Sequence, residues 1–517
     1  MENIIDSSCF QRLRNIRQTS YSPLYPSALH NRFIHSIGVY YLGKIAIKTL
    51  KPTIDKLGLI DINTDIFLLA CLLHDVGHAP FSHTGEKYFV QGQIPTINDE
   101  LVSEVGDEDL RVEVQNKYFK EAAPHEIMSV IVALRSFPNC FNKAKERDFF
   151  ARCITGYKYR KNGQYENICN CLIELLNSTI IDIDKLDYII RDAQTTGYQS
   201  VSIDYIRLLG ALSIIDYAGK KTLAYNKSAL SVIENVIYAH DFERKWIQSH
   251  PVVLYEHFLI QYAIKKIERQ FSDDDKNESL FCFDSLTDIG KTFKNGSGKI
   301  SLLADEDLLH IMKSNCMDIL IHEYFSRNER RHPIWKSEAE YRLLFDNVLG
   351  NGELLDLLEN DFKEVEKYIG EKIGNNLPII NDHFIQHCND RLQKIKDLPD
   401  EQKAVKDDLS RGIRILLMWA NGLREFALAS GIPFDFVIIM ANKFRSSFLK
   451  EDLEKIVIDF SSLGKKELIK KIASILSGDK QNRENLFYIF YKRTKKINAN
   501  ELADIFFKVL IDRKKEV

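Results

Sequence analysis

Apolar positions recur at helical spacing along much of the chain. Between positions 31 and 50 they return at steps of three and four, at Ile34, Ile37, Tyr41 and Ile45. This spacing predicts a half-buried helix. Residues 66–75 are apolar until the last two positions, His74 and Asp75, and so predict a central buried helix that ends on a polar pair. Such a pair is costly to bury unless it is paired or used.

The remaining pattern predicts a mainly α fold with two smaller β elements. Helices are expected over residues 168–176 and 184–193, followed by a β-hairpin over 212–226 and a long helix to about Trp246 that Pro251 kinks or ends. Beyond Pro433 the residues at 435–441, 455–460 and 486–492 favour strands, and those at 465–476 and 500–511 favour helices. We therefore expect a helical core at 1–270, a helical extension that completes the core and the assembly surface at 271–430, and a small mixed α/β unit at 431–517.

Composition supports a helical, globular protein of the cytoplasm. The 517 residues include only 24 glycines and 12 prolines, and the net charge of −3 provides no basic field for nucleic acid. The nine cysteines are scattered without a C-x-x-C pair, as expected in a reducing compartment. Neither a run of 18 apolar residues nor a signal peptide is recognisable, so no membrane partner is expected.

Four short polar clusters carry the candidate chemistry. They are HNRFIHS at 30–36, HDVGHAPFSHTGE at 74–86, PHE at 124–126 and DIDKLDYIIRD at 182–192. Six of the fourteen histidines fall in the first three clusters: His30, His35, His74, His78, His83 and His125. Imidazole nitrogens together with carboxylate oxygens suit Zn²⁺ or another divalent transition metal whose remaining positions are open to water and substrate.

Each cluster taken singly also has a purely structural interpretation. A His-Asp pair at a helix end is more often a satisfied core pair, and Asp184 and Asp187 alone fit solvated charges on a helix face. The combination favours a site, because HDVGHAPFSH places two further histidines within nine residues of His74 and Gly77 permits a tight turn after the pair. Fe, Mn, Zn and Mg remain open as the divalent metal.

These motifs resemble those of the HD-domain phosphohydrolases. HNRFIHS, HDVGHAPFSH and IDIDKLDYIIRD are most similar to the branch of dNTP triphosphohydrolases that includes bacterial dGTPase-like enzymes and the animal SAM-and-HD-domain enzyme. RLRNIRQ at 12–18 and AEYRLLF at 339–345 extend the resemblance to about residues 8–350. The chain shows no counterpart of the SAM domain.

The resemblance implies a role for each matching residue. The implied metal ligands are His35, His74, Asp75 and Asp184. The implied catalytic residues beside the metal are His83, Glu86 and His125. The implied phosphate contacts are Arg32, His78, Lys185 and Tyr188, and the implied sugar contacts are Gln18 and Asp192. In this pattern Glu86 orients an imidazole that protonates the leaving 5′-oxygen.

The implied reaction is metal-assisted hydrolysis of a nucleoside triphosphate at the α-phosphate, which yields nucleoside and triphosphate. Two alternatives stay open: an HD phosphohydrolase that acts on another nucleotide phosphoester, and a nucleotide-sensing regulatory scaffold. The resemblance also implies a homo-oligomer and a nucleotide activator.

The sugar preference is open because the chain departs from the animal enzyme's pattern. Thr19 follows Gln18 at the position where that enzyme has a leucine. Either neighbouring side chains fill this space and the pocket selects deoxynucleotides, or the pocket is relaxed and accepts ribonucleotides.

Overall fold

A computed structural model describes most of the chain. The described residues are 2–57, 63–90, 96–114, 122–179, 181–198, 202–271, 280–292, 299–372, 377–396, 403–441, 456–460, 465–468, 486–494 and 497–516. They confirm the mainly α fold, with small sheets beside the helices. Within these ranges no helix combines the length and the apolar character needed to cross a membrane.

The chain folds into two compact units that each combine distant segments. Unit 1 comprises Met1–Ile247, Ile267–Ile311 and Arg445–Gly478. Unit 2 comprises Gln248–Lys266, Met312–Phe444 and Asp479–Val517. Neither unit coincides with one of the three consecutive ranges expected from the sequence.

The α-helices are numbered in chain order. The first thirteen lie in unit 1: α1 Glu2–Ile5, α2 Ser8–Gln11, α3 Arg32–Lys56, α4 Thr64–Leu73, α5 Glu86–Val90, α6 Ile97–Val105, α7 Glu108–Val114, α8 Pro124–Ser136, α9 Ala144–Thr155, α10 Gln164–Leu176, α11 Ile183–Thr196, α12 Tyr205–Gly210 and α13 Leu230–Glu243. They are followed by α14 Pro251–Phe271, α15 Asp305–Ser314, α16 Ile319–Phe325, α17 Glu338–Leu344, α18 Asp346–Leu349, α19 Gly352–Lys372, α20 Asp382–Lys396, α21 Lys403–Ser430 and α22 Ala499–Glu516.

The strands are short. They are β1 Leu212–Tyr217, β2 Lys220–Asn226, β3 Lys291–Thr292, β4 Lys299–Ile300, β5 His332–Pro333, β6 Ile379–Ile380, β7 Phe436–Met440, β8 Val457–Phe460, β9 Lys465–Leu468 and β10 Phe487–Tyr491. Residues 465–468 are therefore a strand, and the helix predicted over 465–476 is wrong there. The rest of that predicted helix lies outside the described residues.

The core of unit 1 is a set of helices around α3 and α4. Asn31 caps α3 by accepting a hydrogen bond from the Ile34 amide, and Asp182 caps α11 by accepting one from the Lys185 amide. The apolar run of α4 is buried, and α3 packs on α4 and on α11. These contacts bring the predicted polar clusters of three distant segments together.

A four-stranded sheet flanks these helices in unit 1. β1 and β2 form the predicted hairpin, with Ala218 and Gly219 in the left-handed conformation at its turn. β8 pairs in parallel with β2, where Tyr225 faces Ile458, and β9 pairs antiparallel with β8. A C-terminal segment therefore completes the sheet of the N-terminal unit.

Unit 2 contains a second four-stranded sheet in the order β5-β10-β7-β6. Aromatic side chains fill its core; the Phe362 and Phe487 rings stack with centroids 3.8 Å apart, and Trp335 and Trp419 are each 1% exposed. The strands predicted at 435–441 and 486–492 are both in this sheet.

The long helix predicted to end near Pro251 ends earlier, and Pro251 begins the next helix. After α13, residues Arg244–Gln248 form a π-helical turn, and Pro251 is the first residue of α14. Proline is well suited to a first helical position, because the amide hydrogen that it lacks would have no partner there.

Candidate active site

Two histidines and two carboxylates converge at the centre of unit 1. Nε2 of His35 lies 3.2 Å from Nε2 of His74 and 2.9 Å from Oδ1 of Asp184. Oδ2 of Asp75 is 3.6 Å from the first nitrogen and 3.5 Å from the second. The structure thus brings together all four of the residues predicted as metal ligands.

Hydrogen bonds on the far side of each ring orient both Nε2 atoms toward this point. Nδ1 of His74 lies 3.0 Å from the carbonyl oxygen of Cys71, and Nδ1 of His35 lies 2.8 Å from Oδ2 of Asp187. Without a metal, burial lowers the pKa of His35, but the hydrogen bonds to Asp184 and Asp187 outweigh it and raise that pKa to about 10. With Nδ1 donating, each imidazole that gives up its Nε2 proton, as metal binding requires, would present an Nε2 lone pair to the centre. Two facing lone pairs and two carboxylates leave a cation as the natural partner, so the donor set fits a divalent metal.

Asp187 is a functional neighbour that the sequence reasoning did not assign. It lies one helical turn after Asp184, and besides His35 it accepts two hydrogen bonds from Arg191, at 2.8 and 2.9 Å. Gly38 makes room for it, because a Cβ at that position would be 1.9 Å from Oδ1 of Asp187. The sequence could have indicated this role, because in DIDKLDYIIRD Asp187 follows Asp184 by three positions and precedes Arg191 by four, which places the three side chains on one helix face.

The charge distribution keeps both inner carboxyl groups ionised. Burial raises the pKa of Asp75, but the charges of Arg32, His74 and His35 outweigh it and hold that pKa well below its usual value. Nη1 of Arg32 donates to Oδ2 of Asp75 at 2.8 Å. The pKa of Asp184 is also well below its usual value, because its hydrogen bonds to the two histidines outweigh burial.

A second cluster of imidazoles lies beside this centre. The rings of His78 and His125 stack with centroids 4.6 Å apart, and the His83 ring meets both edge-on. His78 is fully buried with Nε2 3.8 Å from Oδ1 of Asp75, and the described residues offer neither of its ring nitrogens a hydrogen-bond partner. By contrast, the His83 side chain is 61% exposed and therefore accessible to a bound molecule.

Glu86 lies between two of these imidazoles, whereas the resemblance implied that it orients one. Its Oε2 is 2.9 Å from Nδ1 of His125 and 3.7 Å from Nδ1 of His83. Burial lowers the pKa of His125, but the hydrogen bond and the charge of Glu86 raise it by more, so the net pKa is above its usual value. In return, these contacts outweigh burial at Glu86 and lower its pKa to about 2. The Glu86 carboxylate thus favours the protonated form of the His125 imidazole.

The two cations predicted to contact phosphate are held by protein groups. Arg32 donates to Asp75 and Ser82, and Nζ of Lys185 donates to the Ser178 carbonyl at 2.7 Å and to Asp182 at 2.5 Å. A phosphate contact from Lys185 would require its ammonium group to exchange one of these acceptors. Tyr188, the fourth predicted contact, is half-buried.

The two predicted sugar contacts lie on either side of a buried histidine. The backbone amide of Gln18 donates to the backbone carbonyl of His30 at 3.0 Å, and Nε2 of His30 lies 2.6 Å from Oδ1 of Asp192. Burial raises the pKa of Asp192 to about 7 and lowers that of His30 to about 4. The described residues offer no hydrogen-bond partner to Oε1 of Gln18.

Comparison with known proteins places a family domain over this region. Residues 32–139 match the HD domain, a divalent-metal-binding fold, and this range contains His35, His74 and Asp75. A crystal structure of a hypothetical protein from Aquifex aeolicus superposes with a TM-score of 0.52 at 18% identity, covering 99% of this chain and 95% of that one. This similarity concerns the fold alone.

Curated relatives match about half of the chain. The uncharacterized protein MG461 of Mycoplasma genitalium is 26% identical over 279 residues, which is 54% of this chain and 58% of that protein. The deoxynucleoside triphosphate triphosphohydrolase SAMHD1 of Danio rerio is 25% identical over 301 residues, 55% of this chain and 45% of that protein. The chain thus spans about half the length of these relatives. Residues 32–139 therefore carry an HD domain, and the relatives together with the converging histidines and carboxylates support a place for the chain among the HD-domain phosphohydrolases.

Proposed function

We propose that this protein is a metal-dependent phosphohydrolase that cleaves (deoxy)nucleoside triphosphates at the α-phosphate, releasing nucleoside and triphosphate. The observation that carries the proposal is the adjacency of two clusters. One cluster is the ligand set, which consists of His35, His74, Asp75 and Asp184, and the other is the imidazole cluster of His78, His83 and His125. The Asp75 carboxylate joins them, because its Oδ2 faces His35 and His74 and its Oδ1 faces His78.

The four residues of the ligand set would hold the metal. A bound divalent ion supplies Lewis-acid polarisation of a phosphoryl oxygen and lowers the pKa of water, which is the nucleophile in hydrolysis. Hydrogen bonds from Nδ1 of His35 and of His74 keep the two Nε2 atoms aimed at this position. The protein thereby avoids the entropic cost of ordering the ligands at the time of binding.

The imidazole cluster supplies the proton that the leaving group needs. Cleavage between the α-phosphorus and the 5′-oxygen leaves an alkoxide, which a positioned acid must protonate. His125 has the properties of such an acid, since Glu86 raises its pKa and holds Nδ1, leaving Nε2 for the substrate. The exposed His83 contacts the same carboxylate and lies at the entrance of the cluster.

The relatives support the nucleotide as substrate. The Danio rerio relative is a deoxynucleoside triphosphate triphosphohydrolase, and the residues to which the motif resemblance gave metal and catalytic roles lie together in this chain. Arg32 and Lys185 add two cations near the ligand set, paired in the free protein with Asp75 and Asp182, and an anionic substrate could take the place of one of these acceptors.

The test is metal analysis followed by chromatography of reaction products. Purified protein is analysed for Fe, Mn, Zn and Mg, then incubated with a panel of dNTPs and NTPs, a nucleoside monophosphate and a cyclic nucleotide. We expect nucleoside and triphosphate in equal amounts, abolished by chelator and in Asp184→Ala. Cleavage of only the monophosphate or the cyclic nucleotide would replace the proposal with another phosphoesterase, and nucleotide binding without turnover would replace it with a sensor.

A further inference from the structure

The segment between Asp75 and His83 is anchored by residues that are remote in the chain. The Arg12 guanidinium is buried and donates to the carbonyl of His78 at 2.5 Å and, from Nε, to the carbonyl of Leu303 at 2.8 Å. This links the beginning of the chain, the HD motif and the residues before α15. The backbone after the motif therefore depends on residues outside it.

Two residues of this segment have an unusual backbone conformation. Phe81 has φ of 59° and Ser82 has φ of 52°, so two consecutive residues with side chains lie in the left-handed region. L-residues adopt this region at a cost and persist there only when the surroundings hold them. Since His83 comes next, the direction in which its ring points depends on this pair.

Asp305, the first residue of α15, holds the first member of the pair. Its Oδ1 accepts a hydrogen bond from the Phe81 amide at 2.7 Å, and its Oδ2 accepts one from the Arg17 amide at 3.0 Å. The residue is 2% exposed. A single buried carboxylate thus ties the segment that carries His83 to the segment that carries Gln18.

Ser82 extends the connection to the ligand set. Its hydroxyl donates to the Arg17 carbonyl at 2.6 Å and accepts from Nε of Arg32 at 3.0 Å. Nη1 of Arg32 in turn donates to Asp75. Four polar contacts therefore lead from Asp305 through Arg17, Ser82 and Arg32 to Asp75 of the candidate metal centre, and a shorter path leads to His83.

We propose that Asp305 is a positioning residue for His83 in the hydrolytic reaction. The proposal rests on the proposed function, since it concerns the rate of that reaction. Asp305 touches neither substrate nor reacting atoms. It acts by holding Phe81 and Ser82 in the left-handed conformation that directs the His83 ring to the entrance of the imidazole cluster.

The first test is Asp305→Asn, with Glu306→Gln as the matched control on the same helical turn. Asparagine has nearly the same shape but keeps only one acceptor oxygen for two amide donors. We expect kcat to fall about 10- to 100-fold, as a displaced group far from the chemistry can cause, with bound metal retained. Glu306 is exposed, so its variant should keep the wild-type kcat. Wild-type kcat in Asp305→Asn, or loss of its metal, would overturn the proposal.

A double-mutant cycle separates positioning from general destabilisation. If Asp305 acts through His83, adding Asp305→Asn to His83→Ala should lower kcat by less than about 3-fold further. A merely structural role would multiply the two losses, and that outcome would overturn the proposal. Should Asp305→Asn fail to fold, Asp305→Glu, which keeps two acceptor oxygens but displaces them, replaces it in the same cycle, with the same expected and contrary results.

Hydrogen exchange provides a measurement that is independent of activity. Asp305→Asn should increase amide exchange in the peptides that span Phe81 and Arg17, whereas Glu306→Gln should not. If the wild-type protein hydrolyses none of the nucleotides, the proposed function fails, and unchanged exchange in Asp305→Asn would separately show that Asp305 does not hold this segment.

Discussion

Nδ1 of the buried His35 lies 2.8 Å from Oδ2 of Asp187, which shares a helical turn with the candidate ligand Asp184. One helix thus supplies both a carboxylate for the metal position and the carboxylate that orients an imidazole toward it. Orientation of a ligand by an outer carboxylate commonly contributes 10- to 100-fold to metal affinity.

We therefore predict that Asp187→Asn weakens metal binding about 10- to 100-fold while the protein stays folded. The amide is a weaker acceptor for Nδ1 and no longer balances the charge of Arg191. Competition titration of the metal against a chromophoric chelator measures the change. The control is Asp216→Asn, whose side chain is 72% exposed on β1. Unchanged affinity in Asp187→Asn would rule out this orienting role.

His125→Ala and His83→Ala should show the opposite pattern, with metal content retained and kcat lowered on the order of 10²- to 10⁴-fold. The reason is that both imidazoles contact Glu86 and not the ligand set. Single-turnover kinetics and metal analysis on the same samples test this. If both variants lose the metal, these histidines are ligands instead.

The pH profile of kcat/KM should respond to Glu86→Gln. An acid is active only while protonated, so the rate falls as pH rises through the pKa of His125. The hydrogen bond and charge of Glu86 raise that pKa. Their removal takes away the two largest contributions that oppose burial, so the pKa of His125 should fall and the alkaline limb should move to lower pH. An alkaline limb that stays in place would exclude His125 as the acid.

The sugar preference can be predicted from Thr19. The described residues offer its buried Oγ1 no hydrogen-bond partner, so a substrate hydroxyl could pair with it. We expect a deoxy preference below about 10²-fold, or about 2.7 kcal/mol, in kcat/KM for dATP against ATP and dGTP against GTP. Thr19→Leu should then increase the preference. A larger wild-type preference would show that neighbouring side chains already exclude the 2′-hydroxyl.

Ile458 should matter for the stability of unit 1 although it lies far along the chain. It is fully buried in β8, opposite Tyr225 of β2. Ile458→Ala should lower the free energy of unfolding by about 2–5 kcal/mol, because it leaves a cavity. Urea unfolding measures this, with Lys466→Ala on the edge strand β9 as the control. A loss no larger than in the control would show that β8 contributes little.

The sequence alone predicted most of the local structure around the site and named the candidate ligands. Helical periodicity predicted α3, α4, α10 and α11, and the resemblance of HDVGHAPFSH and IDIDKLDYIIRD to the HD-domain phosphohydrolases implied His74, Asp75 and Asp184 as ligands. These signals are local, since side chains three or four residues apart share a helix face whatever the rest of the chain does.

Long-range contacts were decided only by the tertiary structure. The sequence predicted the strands at 435–441 and 455–460 in one C-terminal unit, but β8 pairs with β2 in unit 1, whereas β7 pairs with β10 in unit 2. Strand pairing depends on which edge is free and buried in three dimensions, and the strands' own residues do not encode that.

Asp305 is a second example of a long-range contact that the sequence did not predict. It lies in no recognisable motif, yet its carboxylate contacts the Phe81 amide 224 positions earlier in the chain. A buried carboxylate that accepts backbone hydrogen bonds has no sequence signature, because any amide can be the donor. The sequence motifs therefore identified the candidate catalytic and metal-binding side chains. The packing of distant segments determined which other residues hold those side chains in place.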